Sequence, residues 1–196
     1  MPKTEADKGT SERVDRRRTD TRQRIQEVAL ELFAEQGYDN TSLREIAERL
    51  GVTRPALYYH FKAKEDILTG VVADLTAAFD ELLEWGAAQP RTVATRTELI
   101  RRLAVLVGGQ WRAFIRVAQT NQGSMHDSEV GQGFAQRMQT LMSLFDDAEA
   151  ALIDKARRRL GVLALLVTSG LPNDDLFASD EERAAVALQL ALELVA

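Results

Sequence analysis

Two short helical patterns that meet at a glycine constrain this chain more than any other feature. In the segment TSLREIAERLGVTRPALYYHFKAK (residues 41–64), four apolar side chains fall at positions i, i+3, i+4 and i+7 of one helical face, namely Leu43, Ile46, Ala47 and Leu50. Gly51 follows directly, at a position where helices commonly end on a residue with left-handed backbone geometry. The spacing predicts a short amphipathic helix, a tight turn and a second helix.

The residues that begin the two helices are also typical of helix ends. Ser42 and Glu45 have the spacing of a capping box, and Thr41 is a competing N-cap. Thr53 is placed to cap the second helix, and Pro55 is tolerated in its first turn because the N–H groups there have no helical partners. These signals predict a helix-turn-helix unit.

The second helix divides into an inward and an outward face. Leu57 and Phe61 lie four residues apart and are predicted to face the core, whereas Arg54 and Tyr58 have the same spacing and face outward. Tyr59 lies beside the outward pair, although a position packed against the first helix is an equally open alternative. A core helix has no need of so many long polar side chains on one side, but a helix that lies in a DNA groove does.

Charge is distributed unevenly along the 196 residues. Residues 1–64 contain 13 Lys and Arg against 11 Asp and Glu, residues 65–196 contain 12 against 19, and the net charge is −5. This division predicts that nucleic acid contacts only the first part of the chain.

The absence of cysteine excludes disulfides and thiolate metal sites and agrees with a reducing cytoplasm. The polar N-terminus predicts no secretory signal, and the apolar runs are too short to span a membrane.

The remaining pattern predicts an all-α chain. Residues 1–18 are polar and indicate a flexible N-terminal arm, after which Thr19 or Asp20 caps the first helix and Gly37 ends it. Lys64 begins a long fourth helix. Ser179 and Glu182 form a second capping box that opens the last helix. Further helical patterns lie at about 97–107, 110–121, 131–145 and 147–168.

Two C-terminal segments are apolar nearly all round, LGVLALLV at 160–167 and AAVALQLALELVA at 184–196. Helices of this kind are buried on most sides. In a chain of this length they predict a homodimer with a four-helix interface between the subunits. The alternative is that both segments are buried within one monomer.

Residues 19 to about 66 resemble the DNA-binding domain of the TetR family of bacterial regulators. The resemblance is carried by the Gly37-Tyr38 pair, by SLREIAERLGV and by ALYYHFKAK, in that order and spacing. It implies about nine helices, with a helix-turn-helix DNA-binding domain at 19–64 and a ligand-binding and dimerisation domain at 65–196. Beyond residue 66 the chain resembles the family only in length and helical pattern, so no residue roles are transferred there.

The candidate DNA contacts lie on the two short helices and their flanks. They are Thr41, Ser42, Arg44, Thr53, Arg54, Pro55, Ala56, Tyr58, Tyr59, His60 and Lys64. Arg54 is favoured as the base-contacting residue because a guanidinium can bond O6 and N7 of guanine together. Pro55 or Ala56 suits a thymine methyl group, and Thr53, Tyr58, His60 and Lys64 suit phosphates. His60 is alternatively a structural hydrogen-bonding residue, and 16–18 are either groove-binding arginines or part of a solubilising tail.

Large soft side chains, with a few polar ones, are the candidates for a small-molecule pocket in the second part. They are Trp85, Gln110, Trp111, Phe114, Asn121, Met125, His126, Met138, Met142 and Phe145. For any one of them, ordinary core packing is the alternative. His126 with neighbouring carboxylates is too small a set to predict a metal site, and no cofactor is predicted.

These features together predict a DNA-binding transcriptional regulator, most simply a repressor that a small, largely hydrophobic molecule releases from a palindromic operator. The fourth helix would connect the DNA-contacting helix to the pocket. One alternative is a constitutive DNA-binding regulator without a ligand. The other is an enzyme in a helical bundle, which is disfavoured because the sequence has no Glu-x-x-His pair, no nucleophile with a base and no Gly-rich phosphate loop.

Overall fold

The computed structural model describes residues 6–109, 111–114, 129–147, 149–170, 177 and 179–196. These residues form helices and connecting turns without any strand, which confirms the predicted all-α fold. The helices are α1 (Ala6–Gln36), α2 (Leu43–Leu50), α3 (Arg54–His60), α4 (Lys64–Ala87), α5 (Val93–Gly108), α7 (Glu129–Phe145), α8 (Leu152–Gly170) and α9 (Asp180–Val195). The described residues 111–114 are also helical and are called α6 here. The described part therefore contains nine helical elements, in agreement with the predicted number.

The chain divides into two compact units, Met1–Val72 and Ala73–Ala196. The division falls within α4, a little beyond Lys64, where the sequence predicts the end of the DNA-binding domain. The first two turns of α4 consequently belong, by their contacts, to the same unit as the helix-turn-helix.

The first helix begins earlier than the sequence predicts. It runs from Ala6 to Gln36, so the predicted start at Thr19 or Asp20 is wrong and residues 6–18 are helical rather than part of a flexible arm. Their sequence is rich in good helix formers and contains no proline, and a helix that is already packed extends at little cost. The other end is as predicted, because Gly37 has a φ of 91° and its N–H donates to the carbonyl of Phe33.

The core of the first unit is formed by the inward faces of four helices. Its buried apolar side chains include Ile25, Ala29, Leu30, Phe33, Ile46, Ala47, Leu57, Phe61, Ile67 and Val71. Burial of a large apolar side chain contributes about 1.5–3 kcal/mol. Gly51 ends α2 with a φ of 72°, and its N–H donates to the carbonyls of Ala47 and Glu48, so the predicted turn is confirmed.

In the second unit, α8 and α9 pack closely along one another. Their buried apolar side chains are Val162, Leu165, Ala187, Ala191 and Val195. A Cβ at Gly161 would lie 3.0 Å from both Leu194 Cβ and Val195 Cγ1 and 3.1 Å from the Ala191 carbonyl oxygen. Glycine therefore permits the close approach of the two helices.

The C-terminal end of α9 is held by a buried arginine of α5. Arg96 Nε donates to the carbonyl oxygen of Val195 at 3.1 Å. Burial, together with the nearby charge of Arg158, lowers the pKa of Arg96. A cation at the last carbonyls of a helix is also favoured by the helix dipole.

Candidate nucleic-acid interface

Side-chain caps fix the first turns of α2 and α3. The Ser42 hydroxyl accepts from the N–H of Glu45 at 3.3 Å, while the Ser42 N–H donates to Glu45 Oε2 at 2.8 Å. The Ser42 hydroxyl also donates to Glu45 Oε2 at 2.7 Å, and this bond, together with the one from the Ser42 N–H, lowers the pKa of the Glu45 carboxyl. Thr53 Oγ1 accepts from the N–H of Ala56 at 3.4 Å. Both predicted caps are confirmed, and they fix the backbone of the turns that carry the exposed side chains.

The two faces of α3 are separated as the spacing predicts. Leu57 and Phe61 are buried, whereas Arg54 is exposed and Tyr58 and Tyr59 are 50% and 69% exposed. The alternative that packs Tyr59 into the core is therefore wrong. Within the described part of the chain, no carboxylate forms an ion pair with Arg54, so its guanidinium is available to an external acceptor.

The other predicted contacts lie around this exposed face. Pro55, Ala56, Thr53 and Ser42 are exposed, and so is Arg44. His60 is half-buried, with its ring edge-on to Tyr59 at a centroid distance of 5.3 Å. Arg44 pairs with Glu48 at 2.8 Å. Exposed pairs of this kind are weak, so a phosphate can replace the carboxylate.

Thr41 differs from the other candidates because it is only 3% exposed. Its hydroxyl donates to the Gly37 carbonyl at 2.9 Å and accepts from Gln36 Nε2 at 3.2 Å. A side chain that is buried and bonded in this way holds the loop between α1 and α2, and it has no surface left for a phosphate. We therefore remove Thr41 from the candidate interface.

The ammonium group of Lys64 contacts the same loop. Lys64 Nζ donates to the carbonyl oxygen of Tyr38 at 2.8 Å and lies 3.4 Å from the carbonyl oxygens of Asp39 and Thr41. It also lies 4.2 Å from the centroid of the Tyr38 ring. Lys64 thus ties the start of α4 to the α1–α2 loop, and its contact with a phosphate stays a prediction.

Only some of the candidate pocket residues come together. Trp111 and Phe114 have ring centroids 6.4 Å apart, and Met138 and Met142 are half-buried on α7. Trp85 instead lies under the guanidinium of Arg102, at 3.9 Å. Phe145 is a buried core residue. Gln110, Asn121, Met125 and His126 lie outside the described residues.

Sequence reasoning missed two of the aromatic residues that join Trp111. Phe134 lies 5.2 Å from Trp111 and 6.2 Å from Phe79, measured between ring centroids. The position of Phe134, four residues before Met138 on one helix, is the signal that points to it.

Among the described residues, no group of three or more His, Cys, Asp and Glu side chains is arranged to hold a metal ion. None of the described helices is long and apolar enough to cross a membrane.

The model of the bacterial regulatory proteins of the tetR family matches residues 25–71. The match shows a DNA-binding domain of the TetR type over this segment of the chain. Two curated relatives are the HTH-type transcriptional regulators AcrR of Shigella flexneri, 54% identical over 52 residues, and SrpR of Pseudomonas putida, 48% identical over 54 residues. These alignments cover 26% and 28% of this chain, and only 24% and 25% of the two relatives.

Solved structures extend the likeness in fold to most of the chain. A transcriptional regulator from Aquifex aeolicus VF5 has a TM-score of 0.57 and 19% identity, over 86% of this chain and 96% of its own. AibR in complex with isovaleryl coenzyme A and operator DNA has a TM-score of 0.56 and 21% identity, over 85% and 95%. At these identities the likeness shows the fold alone.

Proposed function

We propose that this TetR-family chain is a DNA-binding transcriptional regulator, which binds a palindromic operator as a homodimer and is released by a small, largely hydrophobic molecule. The observation that carries the proposal is the exposed face of α3. It combines an arginine without a carboxylate partner among the described residues, Arg54, with two exposed tyrosines, on a helix whose opposite face is buried.

The division of roles on this face follows from the chemistry of each side chain. Arg54 stands in the first turn of α3, and the N-terminal residues of such a helix are the ones that contact base edges. Its guanidinium can donate two bonds to a guanine. Tyr58, His60 and Arg44 are suited to phosphates, which position the protein without specifying a sequence.

Exposed apolar side chains on the last two helices support the homodimer. On α8, Leu160, Leu163 and Val167 follow one another at three and four residues and are 43–57% exposed. On α9, Val186 and Leu190 are exposed to a similar degree. A contiguous apolar surface of this kind favours a partner, and a second copy provides the matching surface by symmetry.

Dimerisation also meets a requirement of operator recognition. One α3 helix contacts too few base pairs for useful specificity. Two copies related by a twofold axis can enter successive major grooves about 34–36 Å apart. The operator is therefore expected to be palindromic.

The DNA part of the proposal is tested by selecting operator DNA from a random library and measuring binding of variants to the selected sequence. Arg54→Ala should weaken binding by about 1–3 kcal/mol and relax the preference at one base pair in each half-site. Arg44→Ala, which removes another exposed arginine, should weaken all sequences alike. Equal loss of sequence preference in both variants would contradict the assignment.

The dimer is tested by placing a charge on the apolar surface. Leu163→Glu should convert the dimer into a monomer and reduce operator binding, because a carboxylate would be buried without a partner. Val105→Glu is the matched control, since Val105 is also an exposed apolar residue but lies on α5. Light scattering coupled to size-exclusion chromatography gives the mass of each variant. A monomeric wild-type chain would refute this part.

The effector is the third part of the proposal. Its support is the contact of the Phe134 ring with Trp111 and Phe79 in the second unit, together with the similar fold of AibR, whose structure was solved in complex with isovaleryl coenzyme A and operator DNA. A constitutive regulator without a ligand is the competing possibility. Screening of hydrophobic compounds by thermal shift separates them, because a ligand that binds the folded state raises the melting temperature.

A further inference from the structure

Four aromatic side chains of the second unit, Phe79, Trp111, Phe114 and Phe134, form what we call the aromatic cluster. The rings of Trp111 and Phe134 are 5.2 Å apart and inclined by 30°, close to an offset-stacked pair. Phe79 approaches Phe134 from α4 with its ring inclined by 64°. Phe79 and Trp111 are buried, whereas Phe134 is 36% exposed and Phe114 is half-buried. The cluster therefore presents accessible ring surface supported by buried rings.

Among the described residues, the arginines nearest to these rings in the sequence are Arg137 and Arg112. Each forms an ion pair with a carboxylate, while the buried Nε of Arg112 has no hydrogen-bond partner. Arg137, three residues after Phe134, donates from Nε and Nη2 to the two carboxylate oxygens of Asp80 at 2.7 and 2.8 Å. These bonds lower the pKa of Asp80 and raise that of Arg137, so the pair stays ionised across the physiological range. Paired, bidentate guanidinium groups of this kind are the stronger ion pairs of proteins.

The second arginine, Arg112, follows Trp111 directly. Its Nη1 lies 2.8 Å from Asp180 Oδ2. Arg183 shares the same carboxylate at 3.1 Å, and it is almost completely buried. A ligand that carries an anion would compete with Asp80 or Asp180, and a ligand that carries a cation would compete with the arginines. A ligand without charge leaves both ion pairs intact.

We infer that the aromatic cluster binds the flat ring of an uncharged aromatic small molecule, which stacks on Phe134 beside Phe114. The inference rests on the proposed function, because this molecule would be the effector. The inference narrows the class of effector, because a largely hydrophobic molecule could also be charged or purely aliphatic. Stacked aromatic pairs gain about 0.5–1.5 kcal/mol beyond the burial of their surface, which favours an aromatic ligand over an aliphatic one of equal size.

Three probes with the same ring and different charge test the inference by isothermal titration calorimetry at pH 7 on the full chain. They are 2-naphthol, which is neutral, 2-naphthoate and 2-naphthylmethylammonium. We expect 2-naphthol to bind about tenfold more tightly than either charged probe, a difference of about 1.4 kcal/mol. Equal or tighter binding of a charged probe, or no binding of 2-naphthol, would overturn the inference.

Two substitutions locate the bound ring. Phe134→Leu retains an apolar side chain of similar size, so the fold is preserved, and it should weaken 2-naphthol binding about two- to tenfold through loss of ring stacking. Val105→Ala is the control, because Val105 is 79% exposed on α5 and is not part of the aromatic cluster, so this variant should leave the affinity unchanged. If Val105→Ala weakened binding as much as Phe134→Leu, the ring would not be bound by the cluster.

Operator binding of the same preparations separates this inference from the function on which it rests. If the chain binds operator DNA and no naphthyl probe, the inference fails while DNA recognition stands. If 2-naphthol binds at Phe134 but the chain binds no DNA, the ligand class holds and the regulatory function fails. Release of operator DNA by 2-naphthol in wild type and not in Phe134→Leu is the result that supports both.

Discussion

Replacement of Lys64 by methionine should destabilise the first unit. The ammonium group is held against the α1–α2 loop by one short bond to the Tyr38 carbonyl, two longer contacts and the face of the Tyr38 ring. Methionine keeps a flexible apolar stem of similar length but provides no donor and no charge. The loop carbonyls of Tyr38, Asp39 and Thr41 would then lose a shared partner.

The size of the effect follows from these contacts. A hydrogen bond with a charged donor contributes about 1.5–3 kcal/mol, and a cation over an aromatic ring at a partly exposed site adds about 0.5–1 kcal/mol. The two contacts at 3.4 Å are too long to add much. Since Lys64 is half-buried, water replaces part of what is lost. We expect Lys64→Met to lower the free energy of unfolding by about 2 kcal/mol.

Urea unfolding of the full chain and hydrogen exchange of the backbone amides measure this effect together. Exchange should accelerate at residues 37–42 and at the start of α4 in Lys64→Met. Lys62→Met is the matched control, because Lys62 is an exposed lysine two residues away. It removes the same charge and should change the free energy of unfolding by less than about 0.5 kcal/mol.

The same pair of variants addresses the predicted phosphate contact of Lys64. A lysine that neutralises a phosphate contributes about 0.9 to the slope of log affinity against log salt. If Lys64 acts only on the loop, Lys64→Met should keep the wild-type slope under conditions in which it is folded. Equal stability of Lys64→Met and Lys62→Met would refute the structural role, whatever the slope.

Three further changes test other parts of the structure. Gly161→Ala should lower the melting temperature in calorimetry, because crowding costs about 1–3 kcal/mol and the better helix propensity of alanine returns only about 1 kcal/mol. Gly108→Ala is its control and should not lower the melting temperature, since the added methyl group meets open space. Ser42→Ala should cost about 1 kcal/mol in urea unfolding through loss of the cap, and an unchanged midpoint would contradict the capping role. Burial and a hydrogen bond to Glu65 raise the pKa of Tyr38 to about 12 from an ordinary value of 10.0. The folded state therefore holds the Tyr38 proton more tightly than the unfolded state. The stability that this provides is complete below pH 10 and is lost as the pH rises to about 12. Tyr38→Phe should flatten this alkaline loss of stability, and an unchanged profile of stability against pH would contradict the assignment.

Features that depend on neighbours along the chain were predictable from the sequence. Ser42, Gly51 and Thr53 act within a few residues of their own positions, so their roles at helix ends are visible in the pattern. The inward face of Leu57 and Phe61 follows from helical spacing in the same way. These local rules were sufficient to place the exposed face of α3.

Contacts between distant residues were not predictable in this way. The bonds of Lys64 to the α1–α2 loop and of Arg137 to Asp80 join residues 26 and 57 positions apart. Threonine is a residue type that commonly caps helices at the surface, so the sequence gives no sign that Thr41 is buried. Only the folded loop shows that its hydroxyl is directed inward. The early start of α1 was missed because polar helix formers give no apolar stripe to recognise.

The contacts of Lys64 also bear on how the first unit can be joined to other domains. A chimera that joins α1, α2 and α3 to another C-terminal domain at residue 64 would separate the lysine from the helix that orients it. A junction after Val72, where the first compact unit ends, would transfer the lysine, the loop and the buried side chains of Ile67 and Val71 as one piece. Chimeras joined after Val72 should therefore keep the stability of the first unit, and chimeras joined at Lys64 should lose part of it.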